Sequence, residues 1–169
     1  MSVSAPQPQP GGIDPRSPRF GAGITAVLLL IVIVLGFFGA SASTTATIGE
    51  RVTDPAFILL VLVSALFLWG AVAGVKRHPY GAIYRALVRP RLAPPTELED
   101  PRPPTFAQLI GFIVTVIGVV LTVLGVPYAV VIFAALAFVA AFLNSVFGYC
   151  IGCQMYLLIV RTRTRGSVA

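Results

Sequence analysis

The stretch YAVVIFAALAFVAAFLNSVF, residues 128–147, holds no charged side chain and a single amide, Asn144. Coiled as a helix at 1.5 Å per residue, its 20 residues measure about 30 Å, the thickness of a bilayer's hydrocarbon. A helix on the core of a soluble domain keeps a polar face, and this one has none. Three blocks of the same kind lie upstream, at residues 20–40, 55–75 and 106–125, again without a charged residue. The pattern predicts an all-α integral membrane protein with four transmembrane helices. Composition agrees: the 169 residues are 57% hydrophobic and 11% charged, where soluble domains carry about 25% charge. Such a chain cannot cover its apolar surface with its own polar groups, so the lipid bilayer is its expected partner.

A net charge of +6 raises the question of nucleic acid, but the basic residues flank the apolar blocks and form no patch with interleaved aromatics. They orient the chain instead. Arg16 and Arg19 precede the first block. Lys76, Arg77, Arg85, Arg89, Arg91 and Arg102 lie between the second and third, and Arg161, Arg163 and Arg165 follow the fourth. Arg51 alone lies between the first and second blocks. Lys and Arg accumulate on the cytoplasmic side, which predicts a multi-pass protein with both termini inside. Arg16 and Arg19 ahead of an apolar run, with Ala40-Ser41-Ala42 behind it, also resemble a cleavable signal peptide. The run is too long for that, and the repeat described next needs it as a structural helix.

Asp14-Pro15-Arg16-Ser17-Pro18-Arg19-Phe20 leads into the first block, and Asp100-Pro101-Arg102-Pro103-Pro104-Thr105-Phe106 into the third, a spacing of 86. The even-numbered helices echo each other at a spacing of 78, through Gly70 to Gly74 and Gly148 to Gly152. The expected architecture is therefore two parallel-repeat helical hairpins, N-in and C-in, related about an axis along the membrane normal. The prolines fix an extended approach to each helix, while Asp14, Arg16, Asp100 and Arg102 read as interface anchors. Residues 82–88 suit a short amphipathic surface helix with Tyr84 and Leu87 inward and Arg85 and Arg89 toward lipid phosphates. Glu97, Glu99 and Asp100 read as a solvated acidic loop. Residues 1–12 have the composition of a disordered tail. The membrane domain covers 13–161, its last helix extending to about residue 160, and 162–169 form a short basic tail.

Little of this sequence carries chemistry. Glu50 and Asp54 fall in the outer loop, and a span without carboxylates argues against a proton-coupled pump. His78, beside Lys76 and Arg77, reads as a surface residue. Cys150-Ile151-Gly152-Cys153 is the exception. On a continuation of the fourth helix the two thiols lie about 60° apart in azimuth, with Cα atoms near the ~5.5 Å of a disulfide. Gln154 falls on the face of Cys150, whereas Asn144 points the other way and reads as interhelical glue. Gly148 and Gly152 permit close helix approach. A pair at the cytoplasmic rim sits in a reducing compartment, which disfavours a permanent disulfide. Zinc needs four ligands, which Cys150, Cys153 and a distant His78 do not supply, although a homodimer would bring four cysteines. No metal or cofactor is therefore expected. The bland alternative is that both cysteines are small packing residues in a Gly-rich contact.

The entry DPRSPRF (14–20), the loop RPRLAPPTELEDPRPPTFAQ (89–108) and LNSVFGYCIGCQMY (143–156) resemble the DUF4395 family of small, mainly actinobacterial membrane proteins, a domain of unknown function. The resemblance spans about residues 13–161 and touches Asp14, Arg16, Pro90, Pro94, Glu99, Pro101, Phe106, Gln108, Asn144, Cys150 and Cys153. It implies a bacterial cell membrane and the company of thioredoxin-like or sulfurtransferase proteins. The leading expectation is a membrane-embedded thiol-redox or sulfur-handling partner acting through Cys150 and Cys153. A non-enzymatic accessory subunit and a small oligomeric transporter are the alternatives.

Overall fold

The computed structural model describes residues 11–166, with side chains described to residue 163. Most of the expected N-terminal tail thus lies outside the described residues. The α-helices among them are α1 (Arg16–Phe38), α2 (Ile48–Val52), α3 (Pro55–Ala73), α4 (Pro79–Ile83), α5 (Arg102–Val123), α6 (Ala129–Phe147) and α7 (Ile151–Gly166). Helices α1, α3, α5 and α6 are each long and apolar enough to cross a membrane, so the chain is a multi-pass membrane protein. Helix α7 runs on past residue 160 to Gly166.

Three of the four spans, α1, α3 and α5, start at an aspartate cap. Asp54 precedes Pro55, which fills the first helical position, where no backbone donor is needed. Its carboxylate accepts from Ala56 N at 2.9 Å and also from the N and Oγ of Ser41, at 2.8 and 2.7 Å. One buried side chain so caps α3 and closes the loop between α1 and α3 onto the end of α1. Within that loop, Thr47 and Glu50 form a reciprocal cap that starts α2. Arg51 is only 2% exposed and donates to the carbonyls of Ser43 and Ala46.

On the opposite side, Asp14 Oδ1 accepts from Arg16 N at 3.0 Å and starts α1, as Asp100 Oδ1 accepts from Arg102 N at 2.9 Å and starts α5. The residues just before the two aspartates, Ile13 and Glu99, exchange both backbone hydrogen bonds at 2.9 Å in an antiparallel bridge. Asp14 also forms a two-point ion pair with Arg16 and accepts from Tyr84 Oη at 2.9 Å. Burial works against the Asp14 carboxylate, but bonds from Arg16 and Tyr84 prevail and hold its pKa below the ordinary value. Arg16 reaches on to the Ala93 carbonyl. These bonds tie the entry of α1 to the central loop.

Residues 82–88 of the central loop depart from expectation at Leu87, and Arg85 donates to the Lys76 carbonyl. Tyr84 is buried at 1%, but Leu87 is 56% exposed. Residues Tyr84–Val88 wind as a π turn, whose extra residue per turn rotates Leu87 off the Tyr84 face.

Helix α1 packs chiefly on α6, and α3 on α5, each more extensively than the two members of a hairpin pack on one another. The apolar core joins Leu29 and Val32 of α1, Phe57, Leu60 and Val63 of α3, and Val130, Ala134 and Ala137 of α6. Helix α5 enters through small residues: Thr115, Gly118 and Thr122 are buried, their hydroxyls returned to carbonyls one turn back. Helices α3 and α6 are both 19 residues long and both end at a glycine of positive φ, Gly74 (79°) and Gly148 (67°). Matching ends therefore lie 74 residues apart, not the 78 of the glycine echo in the sequence.

Candidate functional site: a dithiol at a helix start

The fourth span does not continue through the cysteines. Gly148 takes a left-handed conformation that stops α6, and Tyr149 N returns to the Leu143 carbonyl at 3.1 Å. Cys150 lies outside both helices and caps the second one. Its carbonyl accepts from Gln154 N at 3.1 Å, the first α-helical bond of α7. Its Sγ accepts from Cys153 N at 3.3 Å, the bond a Ser or Asp makes at the same position. The two sulfurs are joined as a disulfide, with Cα atoms 5.2 Å apart. The expected juxtaposition is thus present, but on a helix start in place of a helix interior. Signals for it were in the sequence: Gly148 followed two residues later by a capping-competent side chain is a stop followed by a start.

The turn at Gly148 redirects its neighbours. Asn144, expected on the opposite face, lines the same open cleft as Cys150, because the cysteine no longer follows the azimuth of α6. Gln154 is exposed and lines this cleft beside Cys150 and Cys153. The cleft, about 470 Å³, is bounded across from the cysteines by Glu99, Asp100 and Arg19. Arg19 was read only as an orientation signal. Its guanidinium lies against Gly148, so close that a Cβ built there would overlap it. Gly152 is buried, and a Cβ on it would stand 2.6 Å from both Cα and Cβ of Ala107. Helix α7 is pressed onto α5 at that point and held further by the Phe106–Tyr156 ring pair at 5.7 Å. Asp14 and Arg16 are not brought to the cysteines. Asp14 lines a separate cleft of about 370 Å³ with Lys76, His78, Arg85 and Arg89.

Behind the cysteine cleft lies a smaller cavity of about 130 Å³ between the spans. Pro18, Pro104, Asn144 and Cys150 line both, so Cys150 stands at the neck between them.

His78 is a second correction. It is 6% exposed, not a surface residue. Its Nδ1 accepts from Tyr80 N at 3.2 Å as the cap of α4, which leaves Nε2 to donate to the Leu66 carbonyl at 3.1 Å. Burial lowers its pKa, only partly opposed by the carbonyl bond, so the ring is held neutral. Both ring nitrogens are used within the fold, and among the described residues no group of three or more His, Cys, Asp or Glu could hold a metal.

The family model for the domain of unknown function DUF4395 matches residues 13–161, nearly the whole chain. The protein belongs to that family. No curated protein and no solved structure matches it.

Proposed function

We propose that this DUF4395 protein is a membrane-embedded thiol–disulfide exchanger, with Cys150 the attacking and Cys153 the resolving thiol. The observation that carries the reading is the cap: a sulfur that accepts the Cys153 N–H at the start of a 16-residue helix, within an open cleft. The backbone donor and the positive end of the helix dipole both favour a thiolate over a thiol there. When the pair is oxidised, a soluble dithiol attacks one sulfur and a mixed disulfide forms. The partner's second thiol then releases the reduced pair. Run in reverse, the Cys150 thiolate attacks a partner disulfide and Cys153 displaces it. Sulfur transfer uses the same attack with a persulfide as donor.

In this reading the cleft opens to the cytoplasm, the two termini are cytoplasmic and the chain is two parallel hairpins about a two-fold axis along the membrane normal. Three observations support the repeat. Ile13 and Glu99, residues 86 apart, pair with each other in antiparallel fashion, as a two-fold axis between them requires. The exchange of α1 with α5 and α3 with α6 preserves which spans pack most closely. It also maps α4, which lies on α1, onto α7, which lies on α5. On this mapping Gly21 against Tyr80 corresponds to Ala107 against Gly152. His78 then corresponds to Cys150, each the cap of the helix that follows an even-numbered span. Helix α7 presents exposed Met155 and Leu158, an apolar face suited to the headgroup boundary.

Thiol trapping tests the reading. In cells, Cys153→Ser should accumulate a mixed disulfide through Cys150 that reductant releases, because the resolving thiol is missing. A conjugate seen only with Cys150→Ser would reverse the two roles. No conjugate with either variant, and a double Ser variant indistinguishable from wild type, would sink the thiol reading.

A further inference from the structure

Cys150 does not face only the open cleft. Its other side lines the 130 Å³ cavity between the spans, whose wall is mainly apolar, with Phe67, Val114 and Leu136. Two amides, Gln108 and Asn144, also line it. Leu136 is 57% exposed on the outer surface of a membrane span, so the rim of the cavity reaches the bilayer. A cavity of about 150 Å³ admits a benzene-sized ring. The space therefore suits one six-membered ring, with any tail left among the lipids.

We propose that this cavity takes the ring of a lipid-soluble quinone, which accepts the electrons of the Cys150–Cys153 dithiol. This rests on the thiol reading above and names its second substrate. The shape and chemistry converge on that class. A quinone ring is flat and apolar and carries two carbonyls that only accept hydrogen bonds, and the Gln108 and Asn144 amides supply side-chain donors in the largely apolar wall. The Cys150 thiolate adds to the ring and forms a carbon–sulfur bond. The Cys153 thiolate then attacks the Cys150 sulfur, forming the disulfide and expelling the ring. The dithiol gives up two electrons and two protons, and the quinone takes both and leaves as quinol. A cytoplasmic dithiol re-reduces the disulfide through the open cleft. The neck position of Cys150 lets one sulfur meet a water-soluble partner on one side and a lipid-soluble one on the other.

The test uses the purified full chain in lipid nanodiscs, its cysteines reduced. It is offered a short-chain benzoquinone or, separately, a small water-soluble aromatic disulfide. Quinol absorbance and loss of alkylatable thiol are followed together. One quinol should form per disulfide closed. Gln108→Leu, which removes a donor, and Ala140→Phe, which fills the cavity, should lower the quinone rate about tenfold relative to the soluble-disulfide rate. Reporting the ratio of the two reactions cancels any loss of folded protein. Closure by the soluble disulfide without quinol would overturn the quinone assignment and leave the thiol reading standing. Failure with both oxidants would overturn the thiol reading itself. Quinol formation at an unchanged ratio in both variants would place the reaction outside this cavity and also overturn the proposal.

Discussion

Gly152→Ala is a one-methyl test of how the cysteine helix is held. The added Cβ would stand 2.6 Å from Cα and Cβ of Ala107, where carbon atoms rest at about 3.5–4.0 Å. One of those two atoms is backbone, so no side-chain rotation relieves the overlap, and α7 must lift from α5 by about 1 Å. Overpacking of this kind costs about 1–3 kcal/mol. Alanine in place of glycine within a helix returns ~1 kcal/mol, leaving a net loss of up to about 2 kcal/mol. For a chain of this size that is a fall in Tm of up to about 8 °C in a thermal melt of the detergent-purified protein, where an unhindered Gly→Ala raises it. Ala107→Gly in the same chain removes one of the two overlaps and should recover part of the loss, a coupling of about 0.5 kcal/mol or more. Gly23→Ala is the control, because its Cβ would meet Ser145 at an ordinary 3.8 Å; it should be neutral or stabilising. A Gly152→Ala melt that overlays the Gly23→Ala melt would refute the close α5–α7 contact.

Fusion of a topology reporter after Ala169 should register cytoplasm and insertion near Thr45 the exterior; the opposite pair of signals would reverse the orientation and put the cysteines on the oxidising side. His78 is held neutral by burial, so the folded state resists a proton that the unfolded chain accepts. Its contribution should be complete above the unfolded value of ~6.5 and should fall as pH drops below it. His78→Asn keeps a capping oxygen and should flatten that limb of a stability–pH curve, and a curve unchanged by the substitution would remove His78 as its source. Asp14 has its pKa lowered despite burial, so its stabilisation is present above the unfolded value and lost as pH falls below ~4. Asp14→Asn should cost about 1–3 kcal/mol at neutral pH and little in strong acid, read from melts at the two pH values. Arg51→Met should destabilise by a similar ~1–3 kcal/mol, since the Ser43 and Ala46 carbonyls lose their donor, and an unchanged melt would show the outer loop does not depend on it.

Four spans were legible because lipid imposes a length and a composition that no other environment asks of 20 consecutive residues. The entries to α1 and α5 were legible only in part: Asp two residues before Arg is local chemistry, but the prolines do not make the extended approach expected of them, because Pro15 and Pro101 are themselves αR and Pro18, Pro103 and Pro104 lie in the first helical turn, where no backbone donor is needed. His78 was misjudged, and the burial of Arg51 went unread, because both are buried by contacts made in the fold. Charge and position suggested exposure, whereas the Leu66, Ser43 and Ala46 carbonyls that receive their donors are fixed only by the fold. Gly125 shows the converse. It is a hairpin tip with nothing within 4 Å of a built Cβ, yet its φ of +88° leaves it as intolerant of a side chain as a packed glycine. The helix break before the cysteines fell between these cases. An apolar run reads as continuous helix by hydropathy alone, and Gly148 could have been a packing glycine as well as a stop.

That break changes what the cysteines can do. At positions i and i+3 inside an unbroken helix, both sulfurs would sit on a face whose N–H groups are already spent on carbonyls one turn back, and neither thiolate would find a backbone donor. With α6 ended at Gly148, the first N–H groups of α7 have no carbonyl to reach, and the Cys150 sulfur takes the one from Cys153. On the two-fold reading, His78 occupies the equivalent place in the other half and spends its Nδ1 on the same kind of backbone donor. One scaffold then carries a neutral buried ring as a cap in one half and a sulfur pair in the other. On that reading the proposed exchange belongs to the second half because its cap is a sulfur with Cys153 as partner. Cys150→Ser keeps a capping oxygen and should therefore keep α7 and its melt within about 0.5 kcal/mol, while Cys150→Ala leaves the N–H unpaired and should cost ~1 kcal/mol. Both should abolish the proposed exchange. If serine and alanine prove equally stable in the reduced protein, the sulfur contributes nothing to the helix start, and the electrostatic case for Cys150 as the attacking thiol falls with it.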